Sequence, residues 1–293
     1  MRYCLLYWAW RLLSFIPLRL MYILSDAVFY PVYYLGRYRR KVARKNLIES
    51  FPEKSKQEIV AIEKSFYHFF IDMLFEMCKL MSFSRKEMTA HMVFTNTEIL
   101  DAVLQQGKSV SLYMGHYGNW EWLSSLALHV NQEKEIAVGQ IYKKLNNSLV
   151  NRLVTYNRER MGGICVEMNQ TLRWIDEQVK NNIATVTCYV ADQSPRKSQI
   201  QHSVPFLHHI TPVFIGAEKI TKRYDFEAWY LDVRRLKRGY YEATFVRLHE
   251  RPLSLPNFEL TDIYYQYLEQ TIRRQPELYL WTHRRFKYAQ III

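Results

Sequence analysis

The stretch VSLYMGHYGNWEW, residues 110–122, joins an apolar run to a cluster of polar side chains. Its first five residues have the length and the residue types of a buried β-strand. Gly115 and Gly118 supply the backbone freedom for a sharp exit from that strand. Because α/β sheets bind ligands beyond the carboxyl ends of their strands, we predict that His116, at this exit, lies at the functional site.

His116 and Glu121 follow a His-x4-Glu spacing. On one continuous helix the two side chains would point about 140° apart, so they can pair only across a strand-to-helix junction. In that geometry Glu121 would accept the Nδ1 hydrogen of His116, and Nε2 would act as a general base without a protein nucleophile. The alternative is a histidine that only satisfies its hydrogen bonds at a strand end, and one His/Glu pair does not decide between them.

The composition indicates an anionic partner and contact with a membrane interface. The chain has 293 residues, enough for one large domain with or without an appendage, and carries a net charge of +12 with 49% hydrophobic and 15% aromatic residues. The charge fits nucleic acid, acidic lipid, a phosphorylated substrate or an acidic carrier protein. The four cysteines are far apart and predict reduced thiols rather than a metal site. Dinucleotide, nucleotide-hydrolysing, serine-hydrolase and zinc-protease motifs are absent from the sequence.

Residues 3–36 are the most apolar part of the chain, but three charged residues interrupt them. Pro17 and Pro31 would bend or break a long helix, and no uncharged run reaches the roughly 18 residues of a simple membrane span. We predict one or two amphipathic or tilted helices at a bilayer interface, with Trp8 and Trp10 among the anchoring aromatics.

The basic run Arg37–Lys45 follows directly, with six cations in nine residues. It is placed to meet anionic headgroups of the cytoplasmic leaflet. A core helix followed by a solvated basic turn is the alternative. The predicted membrane-contacting cations are Arg37, Arg39, Arg40 and Lys41.

Beyond the central motif, strand and helix patterns alternate. Strands are predicted at 136–142, 164–166 and 183–190, helices at 57–81, 97–106, 149–160, 171–180, 211–222 and 261–274, and an antiparallel hairpin at the sheet edge from 226–234 and 240–248. This order predicts an α/β fold with a mixed, mostly parallel central sheet flanked by helices. Asp192 occupies the same kind of strand-exit position as His116.

The segment GHYGNWEW resembles the His-x4-Asp/Glu motif of glycerolipid acyltransferases. With four further segments the chain is similar, nearly end to end, to the late acyltransferases of lipid A biosynthesis, the lauroyl and myristoyl transferases. Those segments are RYRRKVARKNLIESFPEKS from Arg37, ADQSPRK from Ala191, PFLHHITPVFIGAEKI from Pro205 and PELYLWTHRRFK from Pro276. The chain departs from the pattern at Asn147-Ser148, where many members have Asn-Pro, and at Gln193, where relatives often have histidine.

The resemblance implies a glycerolipid acyltransferase-like fold with hydrophobic N-terminal anchoring helices, divided into a membrane-anchoring segment (residues 1–45) and an acyltransferase domain (residues 46–293). The implied reaction moves a fatty acyl chain from a thioester of acyl carrier protein or CoA to a hydroxyl of a lipid A precursor. His116 would be the base and Glu121 its orienting partner, with no metal and no cofactor besides the donor. The implied location is the cytoplasmic face of the bacterial inner membrane.

Six residues are predicted to hold anionic groups of the substrates. The family resemblance places the ADQSPRK loop at the acceptor or donor site. The alternative interpretation is that this loop is only a surface turn. Two adjacent guanidinium groups near the carboxyl terminus could form a phosphate clamp, although a solvated tail is the commoner outcome of such a run. The candidates are Arg158, Arg160, Asp192, Arg196, Arg284 and Arg285.

Three rival readings stay open. The chain could acylate another glycolipid or a phospholipid. A basic nucleic-acid-binding module would explain the charge, but the sequence has no nucleic-acid motif and its aromatics concentrate in the N-terminal segment, so we expect no nucleic acid partner. A non-catalytic membrane scaffold would explain that segment but not the His116/Glu121 motif.

Overall fold

The computed structural model describes residues 2–130 and 135–292 and places the predicted strands in one central sheet of seven strands. The strands of the described chain are β1 (Met92–Thr95), β2 (Val110–Met114), β3 (Ile136–Tyr142), β4 (Ile164–Glu167), β5 (Ala184–Val190), β6 (Ser203–Phe206), β7 (His209–Pro212), β8 (Glu227–Lys237), β9 (Tyr240–His249) and β10 (Gln290–Ile291). Their order in the large sheet is β1-β9-β8-β2-β5-β3-β4, and a small antiparallel sheet has the order β10-β7-β6. Only β8 and β9 pair antiparallel in the large sheet, so the predicted mixed, mostly parallel sheet is confirmed.

Helices flank this sheet and begin at identifiable signals. They are α1 (Arg2–Phe15), α2 (Leu18–Tyr30), α3 (Arg40–Ser50), α4 (Lys56–Lys79), α5 (Arg85–His91), α6 (Thr97–Gln105), α7 (Ser148–Glu159), α8 (Thr171–Lys180), α9 (Gly216–Arg223) and α10 (Glu259–Arg274). Capping boxes start α4 and α5, where Ser55 and Ser84 each accept a hydrogen bond from the backbone of the glutamate three residues on.

Strand β2 lies in the middle of the sheet, between β8 and β5, and all five of its residues are buried. Its pairing with β5 is parallel and in register, with Met114 opposite Val190. The two strands therefore end side by side at the same edge of the sheet. This register decides which side chains meet beyond the strands.

The N-terminal segment forms two helices that Pro17 separates, as the sequence predicts. A turn of π-helix, Pro31–Gly36, follows α2. Within the described residues no single helix has both the length and the apolar character of a membrane span. Tyr3–Phe15 and Leu18–Gly36 meet both conditions only together, as a pair bent by 106°.

Two sequence expectations are wrong in position. The helix predicted over 211–222 begins at Gly216, because Thr211 and Pro212 belong to β7, where they pair with β6. The predicted hairpin exists as β8 and β9, but it does not form the sheet edge: β8 pairs with the central β2, and the short β1 covers the far side of β9. A four-residue strand directly after α5 carries too little periodic pattern to be recognised.

Candidate active site

His116 and Asp192 meet where β2 and β5 end. Each lies two residues beyond the paired Met114 and Val190, so the in-register strands bring the two side chains together. His116 Nδ1 lies 2.6 Å from Asp192 Oδ1, and the carboxylate is 3% exposed. A carboxylate can only accept, so Nδ1 carries the hydrogen and Nε2 keeps a lone pair. The pair has the chemistry of a general base with an electrostatic partner.

The predicted contact between Glu121 and His116 is wrong. Both carboxylate oxygens of Glu121 accept hydrogen bonds from Arg158, whose Nε and Nη2 lie at 2.9 and 2.7 Å. Glu121 is at the predicted junction, since it is the residue before the 3-10 helix Trp122–Leu128. There it points to α7, the helix that carries Arg158, because a guanidinium matches a carboxylate with two parallel hydrogen bonds.

The His116 residue has three further contacts. Gln193 Nε2 lies 3.1 Å from His116 Nε2. The Trp120 ring meets the imidazole edge to face at 5.4 Å between centroids. The carboxyl-terminal segment runs alongside the loop, where Leu280 N donates to the His116 carbonyl at 3.2 Å. His116 is 19% exposed, which leaves room for a substrate but little for ring rotation.

Close packing beneath His116 favours glycine at position 115. A Cβ at this position would lie 2.7 Å from Leu268 Cδ1 of α10. Tyr264 and Tyr265 of the same helix hold the two strand ends. Their hydroxyls donate to the carbonyls of Met114 and Ala191 at 2.7 and 3.1 Å. Helix α10 thus fixes both exits from the sheet.

Glu76 of α4 anchors the loop from the other side. It is fully buried and accepts hydrogen bonds from Tyr22, Tyr241 and Asn119 at 2.7, 2.8 and 2.7 Å. Asn119 in turn accepts from the Trp122 backbone at 3.1 Å. The loop between His116 and Glu121 is therefore tied to the helix packed against α2.

Two titratable groups at this site have pKa values displaced by their surroundings. Burial alone would raise the pKa of the Asp192 carboxyl, but the charge and the hydrogen bond of His116 outweigh it and hold this pKa below its ordinary value. Burial lowers the pKa of the nearby His283 imidazole to about 4, although Asp192 opposes the shift. Asp192 is therefore ionised, and His283 neutral, at neutral pH.

A cleft of about 280 Å³ opens beside the Trp120–Glu121 step. One wall comes from α4 and the other from the carboxyl-terminal segment. The apolar residues that line it are Phe70, Met73, Leu74, Met77, Trp120 and Leu280, and its polar residues include Arg39, Glu121 and His283. Its apolar wall suits a hydrocarbon chain, and Trp120, which touches both the cleft and the His116 ring, connects it to the base.

The structure separates the predicted anion-binding residues. Asp192 and Arg158 lie at the site, but each already binds one of the two motif residues. Arg160 donates to the Leu80 carbonyl at 2.6 Å, and Arg196 is exposed on its loop.

The predicted phosphate clamp of Arg284 and Arg285 does not form. Arg284 is exposed, whereas Arg285 is 1% exposed and donates to Thr211, Pro212 and Tyr265. One guanidinium group is therefore in solvent and the other in the core, so the two do not form one binding site. Arg285 instead fixes β7 to α10.

The predicted membrane-anchoring residues also divide. Trp8, Arg37 and Lys41 are exposed. Trp10 donates to the Cys78 carbonyl at 3.2 Å and Arg40 to Glu63 at 2.9 Å, so both side chains are engaged with α4. Arg39 is exposed, lines the cleft and donates to the Thr282 carbonyl at 3.3 Å.

Sequence reasoning missed Gln193, Trp120 and His283 as neighbours of the base, although all three stand in the quoted segments. The sequence predicts Asp192 at a strand exit but indicates a contact with substrate rather than with His116. The register of β2 with β5 is the signal that would have paired them. Among the described residues, no group of three histidine, cysteine, aspartate or glutamate side chains could hold a metal ion.

The family described as bacterial lipid A biosynthesis acyltransferase matches residues 1–288, which is nearly the whole chain. A comparison with curated proteins finds no match.

Proposed function

Because the chain belongs to the bacterial lipid A biosynthesis acyltransferases, we propose that it moves a fatty acyl chain from a thioester to a hydroxyl group of a lipid A precursor, as an O-acyltransferase of lipopolysaccharide biosynthesis. The observation that carries this proposal is the His116–Asp192 pair beside an apolar cleft. A base with a lone pair on the nitrogen that faces the substrate is what direct attack by an alcohol requires.

The proposed reaction needs no covalent enzyme intermediate. His116 Nε2 takes the proton of the acceptor hydroxyl while its oxygen attacks the thioester carbonyl carbon. The tetrahedral intermediate collapses, the C–S bond breaks, and the imidazolium returns the proton to the leaving thiolate. Asp192 stabilises the positive charge on the ring between these two steps, as a buried carboxylate does for a catalytic histidine.

The donor is the thioester of acyl carrier protein or of CoA. In this proposal its acyl chain enters the cleft that Met73, Met77 and Leu280 line, because these side chains are apolar. We also propose that Arg39, which lines this cleft, binds a phosphate of either substrate in addition to its predicted membrane contact. Glu121, held by Arg158, fixes the wall of the cleft next to the base.

The test is turnover with an acyl carrier protein donor and a lipid A precursor, measured by mass spectrometry of the acceptor. His116→Ala should lower kcat by at least about 10³-fold, since it removes the base. His202→Ala is the matched control, because His202 Nε2 lies 2.6 Å from Asp262 in a similar pair that is not part of this site. Equal loss in both variants, or none in His116→Ala, would contradict the assignment.

A membrane-facing surface is the second part of the proposal. Leu5, Trp8, Leu12 and Phe15 of α1 are 66, 58, 67 and 59% exposed. Their spacing of three and four residues puts them on one face of the helix. An exposed apolar stripe followed by the basic run at Arg37 is typical of a helix that lies in the cytoplasmic leaflet of the inner membrane.

Co-sedimentation with vesicles that contain anionic lipid tests this surface. Replacing Leu5 and Leu12 by serine should weaken binding about tenfold or more, because each buried side chain contributes about 1.5–3 kcal/mol. Leu253→Ser is the control, since Leu253 is 61% exposed on a separate turn. Unchanged binding of the double variant would remove α1 from the membrane contact.

A further inference from the structure

The reactive nitrogen of His116 is occupied by a side chain that the mechanism above does not use. Gln193 Nε2 lies 3.1 Å from His116 Nε2. Two nitrogens at this distance form a hydrogen bond only if one of them donates and the other accepts. Because Nδ1 gives its hydrogen to the Asp192 carboxylate, Nε2 of the neutral ring is the acceptor. The carboxamide of Gln193 is therefore the donor.

Two consecutive residues thus hold both nitrogens of one imidazole. Asp192 fixes the tautomer from one side, and Gln193 covers the lone pair from the other. Gln193 is half-buried, directly after the exit of β5. The acceptor hydroxyl has to reach the same lone pair, so it must displace the amide. An uncharged hydrogen bond of this kind contributes only about 0.5–1.5 kcal/mol, so replacing the amide by the hydroxyl requires little free energy.

The displaced amide stays next to the reacting atoms. The acceptor hydroxyl, hydrogen-bonded to Nε2, attacks the carbonyl carbon of the thioester. The carbonyl oxygen therefore develops its negative charge within a few ångströms of the Gln193 side chain. A side-chain amide in this position is a common donor to an oxyanion. Rotation about the terminal side-chain bonds is sufficient to turn the N–H from the ring to that oxygen.

We propose that Gln193 is a catalytic residue, which caps His116 Nε2 in the resting chain and donates its amide hydrogen to the thioester carbonyl oxygen once the acceptor hydroxyl has taken its place. This inference rests on the proposed function. As the hydroxyl proton moves to Nε2 and the new C–O bond forms, the electron pair of the carbonyl goes to its oxygen, where Gln193 donates. When the C–S bond breaks, the C=O bond re-forms, the proton passes from Nε2 to sulfur, and the amide returns to the ring.

Steady-state kinetics test the catalytic step. Gln193→Ala should lower kcat by about 10²–10³-fold, the loss typical for one oxyanion donor, with little change in KM. Gln199→Ala is the control, because Gln199 is an exposed residue of the same loop. Thermal melting of each variant shows whether the fold is retained, and Gln193→Met, which keeps the length of the side chain without the amide, replaces the alanine variant if that one unfolds.

Gln193→Glu tests the contact at Nε2 separately from turnover. A carboxylate against Nε2 stabilises the protonated ring, so the acid limb of the kcat/KM profile should shift to higher pH by about one unit or more. The titration of the His116 ring, followed by NMR without any substrate, should shift in the same direction. Asp192 and His283, which also interact with this ring, are unchanged in the variant.

The outcomes are distinguishable. If the His116 titration does not move in Gln193→Glu, the contact at Nε2 is wrong and the inference fails. If it moves but Gln193→Ala turns over like wild type while His116→Ala is inactive, the catalytic role of the amide is overturned and the proposed function stands. If the folded wild-type chain transfers no acyl group from any thioester, the proposed function fails, and the oxyanion role fails with it.

Discussion

Two carboxylates lie beside the loop that begins at His116, and they differ in what they bind and in how far along the chain they stand from it. Asp192 is 76 residues from the histidine and forms the hydrogen bond to its ring. Glu121 is five residues away and binds Arg158 with both oxygens. The difference teaches that the register of two neighbouring parallel strands, rather than the spacing within one motif, selects the partner of the base.

The two carboxylates also have different electrostatic settings. The partner of Asp192 is an imidazole, which gains and loses a proton in the proposed reaction. The partner of Glu121 is a guanidinium, which stays charged throughout. Asp192 can therefore stabilise His116 during proton transfer. The Glu121–Arg158 pair instead holds α7 against the wall of the cleft.

The largest expected effect separates the two carboxylates directly. Asp192→Asn should lower kcat by about 10²–10⁴-fold, because an amide can hold the ring in the wrong tautomer and carries no charge to stabilise the imidazolium. Glu121→Gln should lower kcat by about tenfold or less, since it loosens a positioning pair without touching the ring. The measurement is single-turnover acyl transfer with saturating donor.

A matched variant sharpens that comparison. Arg158→Lys keeps a cation near Glu121 but cannot donate bidentately, so its kcat should fall about as far as that of Glu121→Gln. A greater loss in Glu121→Gln than in Asp192→Asn would reverse the assignment of roles. It would mean that Glu121 turns to the histidine when substrates bind.

Much of the fold could be predicted from the sequence, because strands β2, β3 and β5 and helices α4, α7 and α8 carry clear periodic patterns. The strand-exit positions of His116 and Asp192 follow from the same patterns. What could not be predicted is that β5 lies next to β2 although β3 and β4 come between them in the chain. Long-range strand order is set by packing of the whole sheet, so local spacing favoured Glu121 as the partner.

The prediction of a phosphate clamp is wrong for a related reason. Two adjacent arginines look alike in sequence, but the small sheet of β6, β7 and β10 buries Arg285 and leaves Arg284 outside. Burial of a charge depends on partners from distant elements, here Thr211, Pro212 and Tyr265. A run of basic residues does not reveal those partners.

The next effect in size concerns pH. His283 interacts with Asp192 and has a pKa lowered from 6.5 to about 4, so the unfolded chain takes up this proton first as the pH falls. The stability contribution of the neutral ring is complete above about pH 6.5 and is lost between about pH 6.5 and 4; because the ring is partly exposed, we expect about 2–3 kcal/mol. The pKa of Asp192 is also lowered, and that contribution is lost at still lower pH.

Urea unfolding between pH 8 and pH 4 measures this loss. In His283→Gln the free energy of unfolding should fall less steeply with acid than in wild type. His249→Gln, at the end of β9 and half-buried, is the control and should keep the wild-type slope. An unchanged slope in His283→Gln would show that the acid sensitivity arises elsewhere.

The smallest effect compares the supports of the two strand ends. Tyr264→Phe removes one hydrogen bond to the Met114 carbonyl, which lies two residues before His116, and should cost about 1 kcal/mol of unfolding free energy. Tyr265→Phe removes the bond to the Ala191 carbonyl and also an acceptor of the buried Arg285, so it should cost more, about 1–2 kcal/mol. Urea unfolding at pH 8 measures both. Because Tyr265 also accepts from the buried Arg285, an equal loss in the two variants would mean that Arg285 finds another acceptor, and that the two strand exits are supported alike although their carboxylates have different partners.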